Sequence, residues 1–245
     1  MSGPECCSNP PVLNPNGGAG HVEKLAALNS YLTGSPDSNV ALLLISDIFG
    51  TFCVVLFWVT MFFSSASCCE TLKSASSLYP SLSMMLNVVY LDKGFEDAKS
   101  IIDALKSKGV SVIGAAGFCW GAKVVVELAK SRLIQAAVQL HPSFVSVDDI
   151  KGVDIPIAIL GAEIDKMSPP ELLQQFEQVL TAKPGVQVDS LVKIFPKVSH
   201  GWSVRYDKKD AEAVKAAEEA HQVLLNWYEN TFEIHGLPPT STNFN

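Results

Sequence analysis

Gly117-Phe118-Cys119-Trp120-Gly121 joins an apolar run, residues 110–116, to a run of helical character, residues 122–130. Strand, sharp turn and helix in that order make a nucleophile elbow. The turn holds its central residue in a strained backbone conformation that flanking glycines, lacking Cβ atoms, can accommodate. It aims the central side chain over the sheet edge at the N-terminus of the following helix. Here that side chain is a thiol.

Working outward, the chain keeps alternating between the two periods. Upstream, the turn-like Gly34-Ser35-Pro36-Asp37 precedes a strong strand, Val40–Ile45, and residues 94–108 place Phe95, Ala98, Ile101, Ile102 and Leu105 at helical spacing, with Gly109 as the C-cap. Downstream come strands at 135–140 and 155–160, a helix at 170–180, a strand at 191–195 and a long helix from about residue 210 to 228. Alternation of this kind predicts an α/β fold, a mostly parallel sheet covered by helices on both faces. The expected organisation is an extended lead-in over 1–20, a single domain over 21–232 and a flexible tail over 233–245.

Bulk properties narrow the function classes. The chain has 245 residues, 48% of them hydrophobic, and a net charge of −7, which suits one globular α/β domain and argues against a polyanion-binding surface. No nucleic-acid partner is expected. Cys6, Cys7, Cys53, Cys68, Cys69 and Cys119 include two adjacent pairs, which do not bridge to each other easily, and none has zinc-ligand spacing. That usage fits a reducing compartment. The N-terminal residues lack a basic flank and an apolar stretch of signal-peptide length, and Ser2 excludes myristoylation, so a cytoplasmic address is expected.

A thiol at an elbow needs a base, and the base needs an orienting acid. Asp165 follows the strand at 155–160, and His200 follows the strand at 191–195, which puts both at the C-terminal edge of the sheet. Glu163 competes with Asp165 for the acid's place. The chain order nucleophile, acid, histidine is that of α/β-hydrolases. His141, in Leu140-His141-Pro142-Ser143-Phe144 after a strand, either lines the same cleft or makes a structural hydrogen bond. His21, His221 and His235 read as surface residues.

Ile45-Ser46-Asp47-Ile48-Phe49-Gly50, Gly117-Phe118-Cys119-Trp120-Gly121-Ala122-Lys123, Gly161-Ala162-Glu163-Ile164-Asp165 and Ser199-His200-Gly201-Trp202 together resemble the dienelactone hydrolase family, within the α/β-hydrolase fold. The resemblance covers residues 20–50 and 92–230. It implies hydrolysis of a carboxylic ester or lactone by a Cys119-His200-Asp165 triad through a thioester, with no metal or organic cofactor. It further implies an oxyanion hole from the backbone N–H groups of Trp120 and Ile48, and Arg205 resembles a family arginine that takes a substrate carboxylate, the other reading being a solvated surface residue; Trp202 and His141 are further candidates for substrate contact. Asp47 stands where relatives place a carboxylate, usually Glu, against the resting thiol. Some similar sequences carry an endo-1,3;1,4-β-glucanase name, which would require a pair of carboxyls, from Asp47, Glu163 and Asp165, flanking a glycosidic bond.

Residues 51–90 break the pattern. Residues 51–63 are apolar all round and 64–83 are Ser-rich, with neither helical nor strand alternation. Three readings stand: a membrane span over residues 40–63, charged only at Asp47; a buried, ill-fitting hydrophobic segment; or a substituted stretch that yields an impaired variant. A family member has a central strand here, and either residues 54–59 or 86–91 would fill that place. Irregular packing is expected in this region.

Overall fold

The computed structural model describes residues 20–47, 54–58, 87–183 and 190–234. Its strands, in chain order, are β1 (His21–Leu25), β2 (Leu28–Gly34), β3 (Val40–Ile45), β4 (Val54–Trp58), β5 (Val112–Phe118), β6 (Ala136–Leu140), β7 (Ile157–Ile164) and β8 (Ser190–Ser199). Its helices are α1 (Asn87–Ser107), α2 (Trp120–Lys130), α3 (Val147–Lys151), α4 (Pro170–Thr181) and α5 (Ala211–Ile234). The strands form one eight-stranded sheet in the order β1-β2-β4-β3-β5-β6-β7-β8. From β3 to β8 every neighbouring pair is parallel.

Strands buried on both faces read as continuous apolar runs, and successive side chains alternate between the two faces. In β3, Ala41, Leu43 and Ile45 enter one core cluster with residues of α1, α2 and α4. Val40, Leu42 and Leu44 enter the other, with Leu224, Tyr228 and Phe232 of α5. In β7, Ile157 and Ile159 go one way and Ala158 and Leu160 the other. Helices therefore cover both faces, as the alternation of periods predicts.

Small residues in β5 let the helices approach. A Cβ on Gly114 would lie 2.6 Å from the Tyr228 ring, and the Tyr228 hydroxyl donates to Ala115 O at 2.6 Å, so α5 docks directly on the central strand. Gly94 plays the same part for α1, where a Cβ would fall 2.5 Å from the Trp120 indole. Glycine weakens a helix interior, which is why the sequence reads as a helix beginning at 94. The helix in fact begins at Asn87, and Gly94 is an internal contact point.

The apolar run supplies β4, pairing with β2 in parallel and with β3 antiparallel, from Ala41↔Trp58 to Leu44↔Val55. Residues 46–53 are the whole connection from β3 to β4. A parallel crossover takes about a dozen residues or more, so this short link returns the chain in the opposite direction. Of the two candidate gap-filling stretches, 54–59 provides the strand and 86–91 falls largely in α1. The central strands are thereby paired on both edges, and the expected gap in the ladder does not open at β4. Residues 59–86 lie outside the described residues, as do residues 1–19 of the expected lead-in and 235–245 of the expected tail, while residues 233 and 234, expected in that tail, end α5. A membrane helix over residues 40–63 is overturned by the two antiparallel strands inside it. Among the described residues no helix is long and apolar enough to cross a membrane.

Candidate active site

The C-terminal ends of β3, β5, β6, β7 and β8 lie at one edge of the sheet, and each is followed within a few residues by a chemically active side chain: Asp47, Cys119, His141 and Ser143, Asp165, and His200. Cys119 sits between β5 and α2 with φ 54° and ψ −112°, a left-handed region that residues bearing a Cβ enter at a cost. The elbow glycines make the turn possible. A Cβ on Gly117 would lie 2.3 Å from Gly121 O, and one on Gly121 would lie 2.3 Å from Ile45 O, so neither position admits a side chain without moving backbone.

His200 is aimed by an irregularity in β8. The pairing of β7 with β8 shifts register between Ala162 and Ile164, and Lys197 adopts φ 60°, the mark of a bulge that bends the strand. Pro196, which has no N–H for the ladder, stands beside it. The Lys197 N–H donates to Glu163 Oε2 at 2.6 Å. Glu163, the competing carboxylate, therefore holds the bulge, whereas Asp165 faces the histidine.

His200 Nδ1 lies 2.7 Å from Asp165 Oδ2 with both side chains buried. A carboxylate accepts only, so Nδ1 carries the proton and Nε2 presents a lone pair when the ring is neutral. Asp165 Oδ1 accepts from the N–H groups of Met167 at 2.7 Å and Ser168 at 3.3 Å, and Oδ2 accepts from the Ser168 hydroxyl at 3.2 Å. Burial pushes the Asp165 carboxyl up, but the His200 hydrogen bond and charge and the two backbone donors outweigh it and leave it below the ordinary value.

Ser143 Oγ lies 3.3 Å from Cys119 Sγ and 3.4 Å from His200 Nε2. The sequence signals His141 in this loop but neither Ser143 nor Ser168, because a serine after a strand carries no periodic or spacing signal. His141 is fully buried; its Nε2 shares a 2.8 Å hydrogen bond with Ser203 Oγ, and its ring packs edge-on against His200 at 5.0 Å and Trp202 at 5.3 Å. Trp202 is itself buried and packs on Phe195 at 5.2 Å.

Asp47 and Arg205 are paired with each other, Oδ2 to Nη1, each side chain 2% exposed. A Cβ on Gly201, whose φ is +88°, would fall 2.2 Å from Arg205 Nη2, so the guanidinium lies against the turn that follows His200. Ile48 lies outside the described residues. His221 corrects the expectation of a surface residue: it is buried, one turn from the inward-facing Ala217 and Leu225 of α5. His21 is exposed as expected.

Burial first, then the charges of His200 and Arg205, push His141 well below its ordinary value of 6.5. A histidine neutral in the fold but protonated when unfolded stabilises the protein above the unfolded value and loses that contribution as pH falls. Stability of the wild type should therefore decline from pH 6.5 downward, by up to about 1.4 kcal/mol per pH unit for this group. His141→Gln should lack that part of the slope in urea-unfolding midpoints taken from about pH 7.5 to 5. Parallel curves for the two proteins would contradict a buried neutral His141.

The model of the dienelactone hydrolase family matches residues 74–232. Over 194 residues the chain is 32% identical to a protein named Endo-1,3;1,4-beta-D-glucanase from Zea mays, covering 72% of this chain and 61% of that one. Over 120 residues it is 33% identical to a carboxymethylenebutenolidase homolog from Xenopus tropicalis, covering 48% of each. The chain thus spans about half to three-fifths of the length of these relatives. A solved structure, a putative dienelactone hydrolase from Klebsiella pneumoniae, superposes with a TM-score of 0.55 at 15% identity over 78% of this chain and 86% of that one. At that identity the likeness is one of fold.

Proposed function

Because this chain belongs to the dienelactone hydrolase family, we propose that it is a hydrolase of small carboxylic esters or lactones, working through Cys119, His200 and Asp165 and a thioester intermediate. The observation that carries this reading is the hydrogen-bonded line from Cys119 Sγ through Ser143 to His200 Nε2 and on to Asp165, starting from an elbow residue at a helix N-terminus.

Cys119, once its proton reaches His200, attacks the ester carbonyl. The helix N-terminus favours the negative charge. Negative charge then develops on the carbonyl oxygen, and the N–H of Trp120, in the first turn of α2, is a donor for it, with Ile48 as the second donor by family resemblance. The His200 imidazolium gives its proton to the leaving alkoxide. His200 then takes a proton from water, which cleaves the thioester, while Asp165 keeps the ring in one tautomer.

Arg205 is the group in this site suited to a substrate carboxylate, whereas His141, fully buried and bonded to Ser203, has the structural role rather than a place in the cleft wall. Its guanidinium already has a carboxylate partner in Asp47. An anionic substrate would have to replace Asp47 there. A cytoplasmic small-molecule hydrolase remains the setting that composition favours.

The test is a trapped intermediate. Acid quench during p-nitrophenyl acetate turnover should leave an acetyl group on the peptide containing Cys119, removable by neutral hydroxylamine as a thioester is. Acetyl on another residue, or none during steady turnover, would sink the mechanism. The glucanase reading has no support from the geometry: Asp165 is engaged by His200 and Ser168, Asp47 by Arg205 and Glu163 by Lys197 N–H. β-Glucan should remain uncleaved.

A further inference from the structure

Ser143 is a fully buried hydroxyl that touches both ends of the first proton transfer, 3.3 Å from the thiol and 3.4 Å from the imidazole. Its loop is stitched to the elbow by backbone, with Cys119 N–H donating to Leu140 O at 3.0 Å and Ser143 N–H donating to Cys119 O at 3.0 Å. The loop also holds two non-glycine residues in the left-handed region, His141 at φ 37° and Phe144 at φ 62°. Conformations of that kind persist where the surroundings enforce them, and they gather at functional sites.

We infer that the Ser143 hydroxyl carries the proton from Cys119 to His200 during acylation, an inference that rests on Cys119 being the nucleophile. The S–H bond breaks and its proton passes to Ser143 Oγ. The Ser143 O–H proton passes to the Nε2 lone pair, and the S–H electrons stay on sulfur. The products are thiolate, an unchanged serine hydroxyl and an imidazolium hydrogen-bonded to Asp165. A hydroxyl suits this place because it donates and accepts at once: before transfer it accepts from S–H and donates to Nε2, and after transfer it donates to the thiolate and accepts from Nε2–H. Long contacts of this type tighten when substrate is bound.

The other ionisable groups gathered around the pair are Asp165, His141, the Asp47–Arg205 pair and, from α5, His221, whose charge acts on His141. On α2, Lys123 is paired with Glu127 and Asp149. None of them is changed by substituting Ser143, so pH profiles of the variants read the relay itself.

The experiment follows the p-nitrophenolate burst with the full chain, its Ser143→Ala and Ser143→Thr variants, and Cys119→Ala. Ser143→Ala should slow acylation by about 100-fold and move Cys119 alkylation by iodoacetamide, read on its own peptide, to higher pH. Substrate saturation should change little, and Ser143→Thr, which keeps a hydroxyl, should recover most of the rate. If Ser143→Ala does not fold, wild-type acylation in mixtures of H2O and D2O still decides: two protons in flight give a bowed dependence on deuterium fraction. A straight line, or Ser143→Ala acylating like the wild type, would overturn the relay. Full turnover by Cys119→Ala would overturn the nucleophile assignment first, and with it this inference. Loss of turnover in Ser143→Ala alongside that result would make Ser143 the nucleophile instead.

Discussion

Cys119→Ala is expected to reduce kcat/KM for an activated ester by about a thousandfold or more while leaving the circular dichroism spectrum of the protein intact. The size of the effect follows from the thiol's place in the cycle. In the proposed cycle it supplies the bond that splits one hard displacement into two easier ones. Alanine fits the elbow, since the strained backbone at φ 54° accepts a methyl as readily as the larger thiol side chain, and the helix N-terminus stays in place. His200→Ala should cost a comparable factor, and the double variant little more than either single one, because residues acting as one unit lose their function together. A double variant whose losses multiply would mean that the two side chains do not act in one step.

Much of this site is legible in the chain because parallel α/β sheets concentrate their chemistry at strand ends. Val40–Ile45 forms the strand read from its apolar run, with the same bounds, and the strand-end rule puts Asp165 and His200 at the edge that the elbow faces. What escaped the reading escaped for physical reasons. β1 and β2 form a hairpin whose two-residue turn, Ala26-Ala27, has φ 47° and 68°. Such turns announce themselves through Asn-Gly or Asp-Gly, and two alanines announce nothing. Ser143 carries no signal in the chain because its place beside Cys119 and His200 is wholly tertiary: it depends on a strained loop brought onto the elbow by two backbone hydrogen bonds. The residues alone leave Glu163 beside Asp165 as a competitor, the family resemblance favours Asp165, and the bulge in β8 gives Glu163 its own partner.

The run that yields β4 shows how composition can mislead in the other direction. A sheet interior and a membrane both demand an apolar stretch without charge, and periodicity does not tell a short buried strand from a helix segment. Pairing separates them, since residues 54–58 are bonded to strands on both sides. The link over residues 46–53 is too short for a parallel crossover, so the chain turns back beside β3 and closes the ladder between β3 and β2.

Arg205→Met is expected to destabilise the fold by about 3–5 kcal/mol, because it leaves the Asp47 carboxylate buried without its counter-charge. Against a total margin of about 5–15 kcal/mol that is enough to shift the urea midpoint far down. Asp47→Leu should also destabilise, since it removes the carboxylate that faces the buried guanidinium. The double variant Asp47→Leu with Arg205→Met should recover most of the loss, since well-packed apolar groups often serve as well as a buried ion pair. Equal stability of wild type and Arg205→Met would show that water reaches the pair, contrary to its 2% exposure. Activity should separate from stability in the recovered double variant. The guanidinium lies against Gly201, in the turn after His200, so its removal takes away both the proposed carboxylate receptor and a support for the turn that holds the proposed base. The double variant, folded but lacking both charges, should therefore hydrolyse neutral esters less efficiently than the wild type and lose any preference for esters that carry a carboxylate. A double variant that keeps that preference would place the anion site elsewhere in the cleft and leave Asp47 and Arg205 a purely structural pair.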